Sequence, residues 1–525
     1  MAARFSILRA ASTTAMATLL SRVLGFVRDV LIAAALGAGP LADIFVVAFR
    51  LPNLFRRLFA EGAFNAAFVP IFAKRLEGEG VDPARKMAAE IFSVLFFTLL
   101  VFTLIAELAM PYFVRALAGG FIADPEKFRQ TVSYARITFP YLICMSLMAI
   151  YAAMLNATGR FALAALAPVL LNVVLIGALF LAYVMEAGSQ RLSLEFLIWG
   201  VALAGALQLF VVWLGVRRAG LFLPLTRPRL SPDVKRVLVL GIPGILAAGI
   251  GQINLLVGTH IASAQESAAA WLYYADRLYQ LPLGVIGVAL SVALLPDIAR
   301  RLRANDTAGA IRSQNNGLTY GLFLTLPASI GLFVLAAPIM TVLFERGAFS
   351  QADTQAAALA LQGFAIGLPA FVLVKILQPS FFAQEDTKTP LFYGALGVAV
   401  NIGLSLLYFP VYGHVAIAVA TSVAGWVTFL TMGVHLAASG WRVDGFFMSR
   451  FVLILIACGA SFAVLSLASS IIAVTGAPLA IWLFGQIVLA ALVYFVILAG
   501  LSFLFWQAGF RTLFGFFASQ TETSD

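Results

Sequence analysis

The chain is 525 residues long, 62% hydrophobic and 11% charged, with a mean hydropathy of +0.99 and a formal net charge of +10. Soluble domains carry about 25% charged residues, so a water-soluble globular fold is excluded and a polytopic membrane protein is left. A basic balance can signal nucleic acid as a partner, but the positions of the basic residues account for it here without one.

Hydrophobic runs long enough to cross a ~30 Å hydrocarbon core as helices recur along the whole chain, and the short alternating segments of transmembrane strands are absent. The spans fall at 12–36, 41–62, 88–112, 131–155, 160–185, 193–216, 236–262, 268–294, 315–343, 354–382, 389–409, 414–437, 450–474 and 480–507. The expected fold is an all-α polytopic membrane protein of about fourteen transmembrane helices. Span 1 is interrupted by Arg22 and Arg28 and closes on no small-residue cleavage pattern, so it reads as a retained helix rather than a signal peptide. Span 2 carries Asp43, Arg50, Arg56, Arg57 and Glu61, and Pro52 within it predicts a kink or break. Helical spacing puts Asp43, Arg50, Arg57 and Glu61 on one face, with Arg56 one position off. Cys144 and Cys458 fall inside apolar spans as packing residues, with no disulfide expected. His260, His414 and His435 match no metal-ligand spacing. The stretch RRAGLFLPLTRPRLSPDVKR at 217–236 is broken by prolines and reads as an amphipathic linker held near anionic lipid by its basic residues.

Basic residues outside the spans are strongly asymmetric. With the termini and even-numbered connections in the cytoplasm, that side holds Lys74, Arg75, Arg85, Lys86, the linker cations, Arg300, Arg301, Arg303 and others, whereas the opposite side holds only Arg115, Lys127, Arg129, Arg191 and Arg346. This is a positive-inside pattern with both termini cytoplasmic. The chain also repeats itself. VPIFAKRL at 69–76 matches LPDIARRL at 295–302, AFRL at 48–51 matches ADRL at 275–278, and Pro140, Thr158 and Asn172 recur as Pro369, Thr387 and Asn401. Spans 1–6 thus recur as spans 7–12. Six spans is an even number, so both copies insert the same way, a parallel-repeat transporter design with its site where the repeats meet. The expected domains are an N-lobe at 1–226 with the basic linker near 217–236, a C-lobe at 234–440, and spans 13 and 14 with the tail at 441–525. Spans 13 and 14 read either as accessory helices or as a lipid-facing groove for a substrate tail.

Charge inside the spans carries the functional information. One arginine at a bilayer centre costs about 2.5–3.5 kcal/mol on insertion scales, so several must face water, acids or a bound anion. Arg22, Arg28, Arg50, Arg56, Arg57, Arg277 and Lys375 outnumber Asp29, Asp43, Glu61 and Asp276. Arg22 and Arg28 do not share a narrow stripe and converge only on a wide cavity. Ser21 adds a hydroxyl beside Arg22, and Asp29 can pair with Arg28 or a neighbouring helix. Asp276 and Arg277 take the places of Phe49 and Arg50 in the second repeat, so both halves supply cations to the expected chamber. Surplus positive charge of this kind calls for an anion, and guanidinium suits phosphate, so the expected cargo has a phosphorylated headgroup. Bland readings stand beside these. Arg56 and Arg57 also fit snorkelling at the interface, Asp43 fits interface solvation as well as a gating ion pair, and Lys375 fits cavity or interface. Asn172 and Asn401 fit interhelical hydrogen bonding better than ion coordination. No nucleophile–base pair or metal cluster argues for an enzyme, and no cofactor is implied. A drug exporter would need acids to accept organic cations, whereas here the surplus is positive.

The runs SRVLGFVRD at 21–29, LPNLFRRLFAEGAFNAAFVPIFA at 51–73, YYADRLYQLPLGVIGVALSVALLPDIAR at 273–300 and QEDTKTP at 384–390 resemble the MurJ (MviN) family of bacterial lipid II flippases, over essentially the whole chain. The resemblance implies the multidrug/oligosaccharidyl-lipid/polysaccharide exporter fold, with two six-helix lobes forming a V around a cationic cavity and the last two helices forming a hydrophobic groove. It implies a multi-pass inner-membrane protein that flips undecaprenyl-pyrophosphate-disaccharide-pentapeptide from the cytoplasmic to the periplasmic leaflet by alternating access. A flippase for another lipid-linked glycan, or a cation-coupled drug exporter of the same fold, is the alternative. Arg22, Arg28, Arg56 and Arg277 resemble the family's essential cavity arginines and Asp43 its periplasmic gate acid. Ser21, Asp29, Arg57, Glu61 and Asp276 resemble supporting cavity or gate residues. The implied partners are lipid II, the membrane, and cell-wall synthesis or division proteins, and one chain suffices as a monomer. Some members bind sodium through acids and an asparagine. QINLLVGTHIAS at 252–263 offers Asn254, Thr259 and His260 but no acid, so no metal site is assigned.

Overall fold

The computed structural model describes residues 2–59, 63–469 and 478–507, and the chain divides into two compact units, 1–270 with 346–350, and 271–345 with 351–525. Each predicted span falls largely on helix where its residues are described, although span 131–155 is divided by a turn at Phe139 and Pro140, and among the described residues eleven helical segments are long and apolar enough to cross a membrane.

The first unit is built from α1 (Ala2–Leu36), α2 (Pro40–Phe59), α3 (Ala63–Glu79), α4 (Val81–Leu117), α5 (Pro125–Thr138), α6 (Tyr141–Ala157), α7 (Phe161–Met185), α8 (Gln190–Arg218) and α9 (Pro232–Ala262), with a 3₁₀ turn at Gly119–Ala123. The repeat counts α9 as the first span of the second half, yet in space α9 packs against α3 and α4 of the first. The spans leave out α3, which is short and ends in Lys74, Arg75, Glu77 and Glu79. Helix starts follow capping chemistry. Asp124 accepts from the backbone N–H of Glu126 and Lys127 ahead of Pro125, and Ser231 caps α9 ahead of Pro232. An edge-to-face aromatic cluster of Phe55, Phe102, Phe113 and Phe139 joins α2, α4 and the α5–α6 corner.

The second unit contains α10 (Ala268–Pro282), a π-helical turn at Leu283–Gly287, α11 (Val288–Arg303), α12 (Thr307–Val334), α13 (Ala336–Phe344), α14 (Gln351–Phe382), α15 (Lys388–Tyr412), α16 (His414–Ala438), α17 (Gly445–Ser469) and α18 (Leu479–Gln507), the first three residues of α10 counting with the first unit. Span 268–294 survives Pro282 because the π turn absorbs the disruption. Span 315–343, expected as one helix, is two, divided at Leu335. At the centre α14 packs against α12 and α16. Gly363 and Gly367, four apart, let α16 approach closely. A Cβ on Gly367 would lie 2.5 Å from Ser422 Oγ, and that hydroxyl donates to Gly363 O at 2.5 Å.

At four prolines inside these helices the freed carbonyl is met by a side-chain donor. Proline lacks the N–H that would bond the carbonyl four residues earlier, and in lipid an open carbonyl needs another donor. Pro52, expected to kink or break α2, lies inside a helix that runs on to Phe59. The carbonyl it frees, Ala48 O, accepts from Thr138 Oγ1 at 2.8 Å. Pro111 frees Glu107 O, which accepts from Arg136 Nε at 3.0 Å. Pro327 frees Phe323 O, which accepts from the Tyr494 hydroxyl at 2.8 Å, and Pro369 frees Ala365 O, which accepts from Ser329 Oγ at 2.6 Å.

Candidate functional site

In the first unit the intramembrane charges fall into two groups. The first lies where α1 packs on α7. Arg28 is 6% exposed and Asp29 2%. Arg28 Nη2 and Nε donate to one Asp29 oxygen at 2.7 and 3.1 Å, and Nη1 donates to Asn172 Oδ1 at 2.9 Å. The Asn172 amide then donates to Ser21 O at 3.0 Å, so a single asparagine on α7 ties Arg28 to the α1 backbone two turns before it. The interhelical hydrogen bonding expected of Asn172 is thus made to the arginine itself. It is the Ser21 carbonyl, not its hydroxyl, that Asn172 holds. Asp29 balances the Arg28 charge and fixes its plane. Arg22 on the same helix is exposed, and no ion pair to it occurs among the described residues.

The second group runs along α2. Asp43 is fully buried and accepts from Lys127 Nζ at 2.8 Å, Ser267 N at 3.0 Å and Ala270 N at 3.1 Å. One carboxylate therefore neutralises the lysine at the start of α5 and caps the start of α10. Lys127 also lies 4.2 Å from the Phe121 ring. Farther along the same face Arg50 is half-buried and its Nη1 donates to Thr259 Oγ1 at 2.8 Å. Arg56 Nε donates to Asn53 Oδ1 at 3.2 Å, and Arg57 is exposed. Glu61 lies outside the described residues.

The end of α9 is fastened beside this group. His260 Nδ1 lies 2.9 Å from Ala116 O, and Gly120 N donates to Ser263 Oγ at 2.9 Å. Gly120 has to be glycine here, because a Cβ would sit 2.3 Å from Ser263 O. The sequence places Lys127 among the few basic residues of the side opposite the cytoplasm. A lysine in the first turn of a helix opposes the macrodipole, and that was the available sign that its charge is matched elsewhere.

In the second unit Arg277 lies 4.6 Å over the Tyr273 ring and donates from Nη2 to the Tyr273 hydroxyl at 2.9 Å. Asp276, its neighbour, accepts from Gln280. Lys375 on α14 is exposed. Buried Asn401 accepts from Ser405 Oγ at 3.3 Å and Thr421 Oγ1 at 3.5 Å, an uncharged set. An apolar cavity of about 420 Å³ lies among α12, α13, α17 and α18, with Phe323, Pro327, Leu335, Leu465 and Tyr494 in its wall. This is the place where the sequence offers either accessory helices or a lipid-facing groove for a substrate tail.

A family model described as lipid II flippase MurJ matches residues 32–503. The chain is 48% identical over 506 residues to a probable lipid II flippase MurJ of Rhizobium meliloti (strain 1021), covering 95% of this chain and 94% of that protein. The chain belongs to the MurJ lipid II flippase family. A second member, a probable lipid II flippase MurJ of Rhizobium tropici, is 51% identical over 436 residues, 83% of this chain and 81% of that protein. Among solved structures, a lipid II flippase MurJ in an inward closed conformation shares the fold with a TM-score of 0.79 and 24% identity, over 94% of this chain and 99% of that one. MurJ membership and the eleven membrane-length helices make this a multi-pass protein of the bacterial inner membrane.

Proposed function

We propose that this chain carries lipid II, a polyprenyl-pyrophosphate glycolipid, from the cytoplasmic to the periplasmic leaflet, and that it does so by alternating access without covalent chemistry. The observation that carries the reading is the excess of arginines within the helices of a chain that matches the flippase family over nearly its whole length. Arg22, Arg56 and Arg57 in the first unit and Arg277 in the second serve the pyrophosphate, with Arg50 and Lys375 adding positive charge along its path. Arg28, already balanced by Asp29, acts by geometry: it holds a guanidinium edge in place with Asn172. Asp43 with Lys127 is the gate element, because opening there exposes a buried charge pair to solvent. The polyprenyl tail stays in lipid against the apolar cavity of α12, α17 and α18. Both termini are cytoplasmic by the positive-inside pattern, one chain suffices, and proteins of cell-wall synthesis or division are the natural neighbours.

The test is depletion of the protein in its host, with each lipid-linked intermediate quantified on the inner leaflet, followed by rescue with Arg22→Ala and Arg277→Ala. Lipid II accumulates, and both variants reach the membrane without rescuing growth. Accumulation of a different lipid-linked glycan would reassign the cargo, and full rescue by both variants would remove the cationic pathway.

A further inference from the structure

A second cationic feature lies away from the intramembrane charges. A cleft of about 650 Å³ is lined by one face of the first turns of α4 and by the extended segment that joins α8 to α9. From α4 come Asp82, Arg85, Lys86 and Glu90, and from the segment Thr226, Arg227 and Arg229. The segment is pinned rather than loose. Leu221 and Leu223 are buried, and the Thr226 backbone N–H and hydroxyl both donate to Ser93 Oγ, at 2.9 and 3.1 Å. Ser93 is itself fully buried and anchored on Ala89 O at 2.7 Å. Arg227 and Arg229, two apart on an extended backbone, share a side of it.

The charges in the cleft do not cancel. Four cations face two acids, and Asp82 is already matched by Arg85 at 3.1 Å. Lys86, Arg227 and Arg229 make no ion pair among the described residues. Surroundings on the same segment indicate what fills it. Phe222, Leu225 and Leu230 are 45%, 54% and 63% exposed, interleaved with the arginines. Both flanking helices are of membrane length, and Arg217 lies 5.5 Å over Trp213 at the end of α8, an aromatic and basic pair of the kind that marks the membrane interface. A surface tethered at that level, apolar and cationic in alternation, suits a lipid with an anionic head.

We infer that this cleft binds the phosphate headgroup of an anionic phospholipid, with Lys86, Arg227 and Arg229 as its ligands and Phe222, Leu225 and Leu230 seated among the acyl chains. The cleft is too large for a bare phosphate ion and is of a size for a glycerophosphate head. Glu90 works against the ligand and limits its affinity. This site is separate from the path of the transported lipid, so it stands or falls independently of the cargo.

The test is native mass spectrometry of the full-length protein in neutral detergent, titrated with phosphatidylglycerol, phosphatidylcholine or inorganic phosphate. Phosphatidylglycerol is preferred over phosphatidylcholine, and the preference falls about tenfold to hundredfold in a Lys86→Gln, Arg227→Gln, Arg229→Gln triple variant, with basic residues near a membrane surface acting cumulatively. The charge-conserving Lys86→Arg, Arg227→Lys, Arg229→Lys protein keeps it. Glu90→Gln tightens phosphatidylglycerol binding, a gain that misfolding cannot imitate. Equal binding of the two lipids, an unchanged preference in the triple variant, or displacement of phosphatidylglycerol by equimolar inorganic phosphate would each overturn the proposal.

Discussion

Asp43→Ala should destabilise the protein by several kcal/mol. The carboxylate is fully buried and its three hydrogen bonds span 2.8 to 3.1 Å. Alanine strands Lys127, 8% exposed, with only the Phe121 ring for its ammonium among the described residues. Removing one partner of a buried ion pair costs about 3–5 kcal/mol. The Ser267 and Ala270 amides also lose their acceptor, at about 1–3 kcal/mol for each buried group left unmade, although neighbouring losses overlap and do not simply add. Asp43→Asn keeps one acceptor oxygen and should fall between. Lys127→Met should cost less than Asp43→Ala, because Asp43 retains two backbone donors. Combined with Asp43→Asn it should show a coupling of about 0.5–3 kcal/mol. Unfolding of the purified proteins in mixed micelles with a denaturing detergent gives all the corners of this cycle. If Asp43→Ala unfolds within about 0.5 kcal/mol of the parent, the scale of an ordinary surface substitution, the pair does not hold α2, α5 and the start of α10 together.

Three further outcomes are expected. Thr138→Val and Tyr494→Phe remove the donors to Ala48 O and Phe323 O, and each should cost about 0.6–1.7 kcal/mol, the scale of interhelical bonds in membranes, in the same unfolding assay. Arg28→Lys keeps the charge but cannot bond Asp29 through two nitrogens and Asn172 through a third. It should support growth hardly better than Arg28→Ala in a depletion strain, and normal growth would show that charge alone matters there. Asp386, in the loop before α15, has its carboxyl held below the usual range chiefly by the Thr389 hydroxyl, together with the Thr389 and Lys388 backbone N–H groups. A lowered folded value means that its contribution is present at neutral pH and is lost as pH falls through that value. Asp386→Ala should therefore cost about 0.5–2 kcal/mol at neutral pH, and its deficit against the parent should shrink below about pH 4.

Much of the architecture was legible because a bilayer imposes length and apolarity on each span. That is why the described parts of the fourteen runs fall largely on helix, and why the exceptions, such as the turn at Phe139 and Pro140 inside run 131–155, are local. A short helix with a charged end, α3, carries no membrane-length signal, and the division at Leu335 is made inside an apolar run that reads as continuous. The candidate site was legible only as an inventory. Arg28, Asp29 and Asn172 stood out as polar groups in apolar runs, but the bond from Arg28 to Asn172 spans 144 residues, and no periodicity reports such a meeting. Lys127 reads only as a basic residue of the outer side, because sequence shows the sign of a charge and not its burial. Thr259 and Tyr273, the partners of Arg50 and Arg277, are ordinary membrane-helix residues until the fold brings an arginine to them.

The proline carbonyls bear on how the protein is made. The donor for Glu107 O is synthesised 29 residues after it and the donor for Ala48 O 90 residues after, but Phe323 O waits 171 residues for Tyr494. Helix α12 therefore enters the bilayer with an open carbonyl that waits for Tyr494, so the insertion of α18 completes a segment delivered long before it. A premature stop ahead of Tyr494 would do its damage at α12, far upstream of the missing codons.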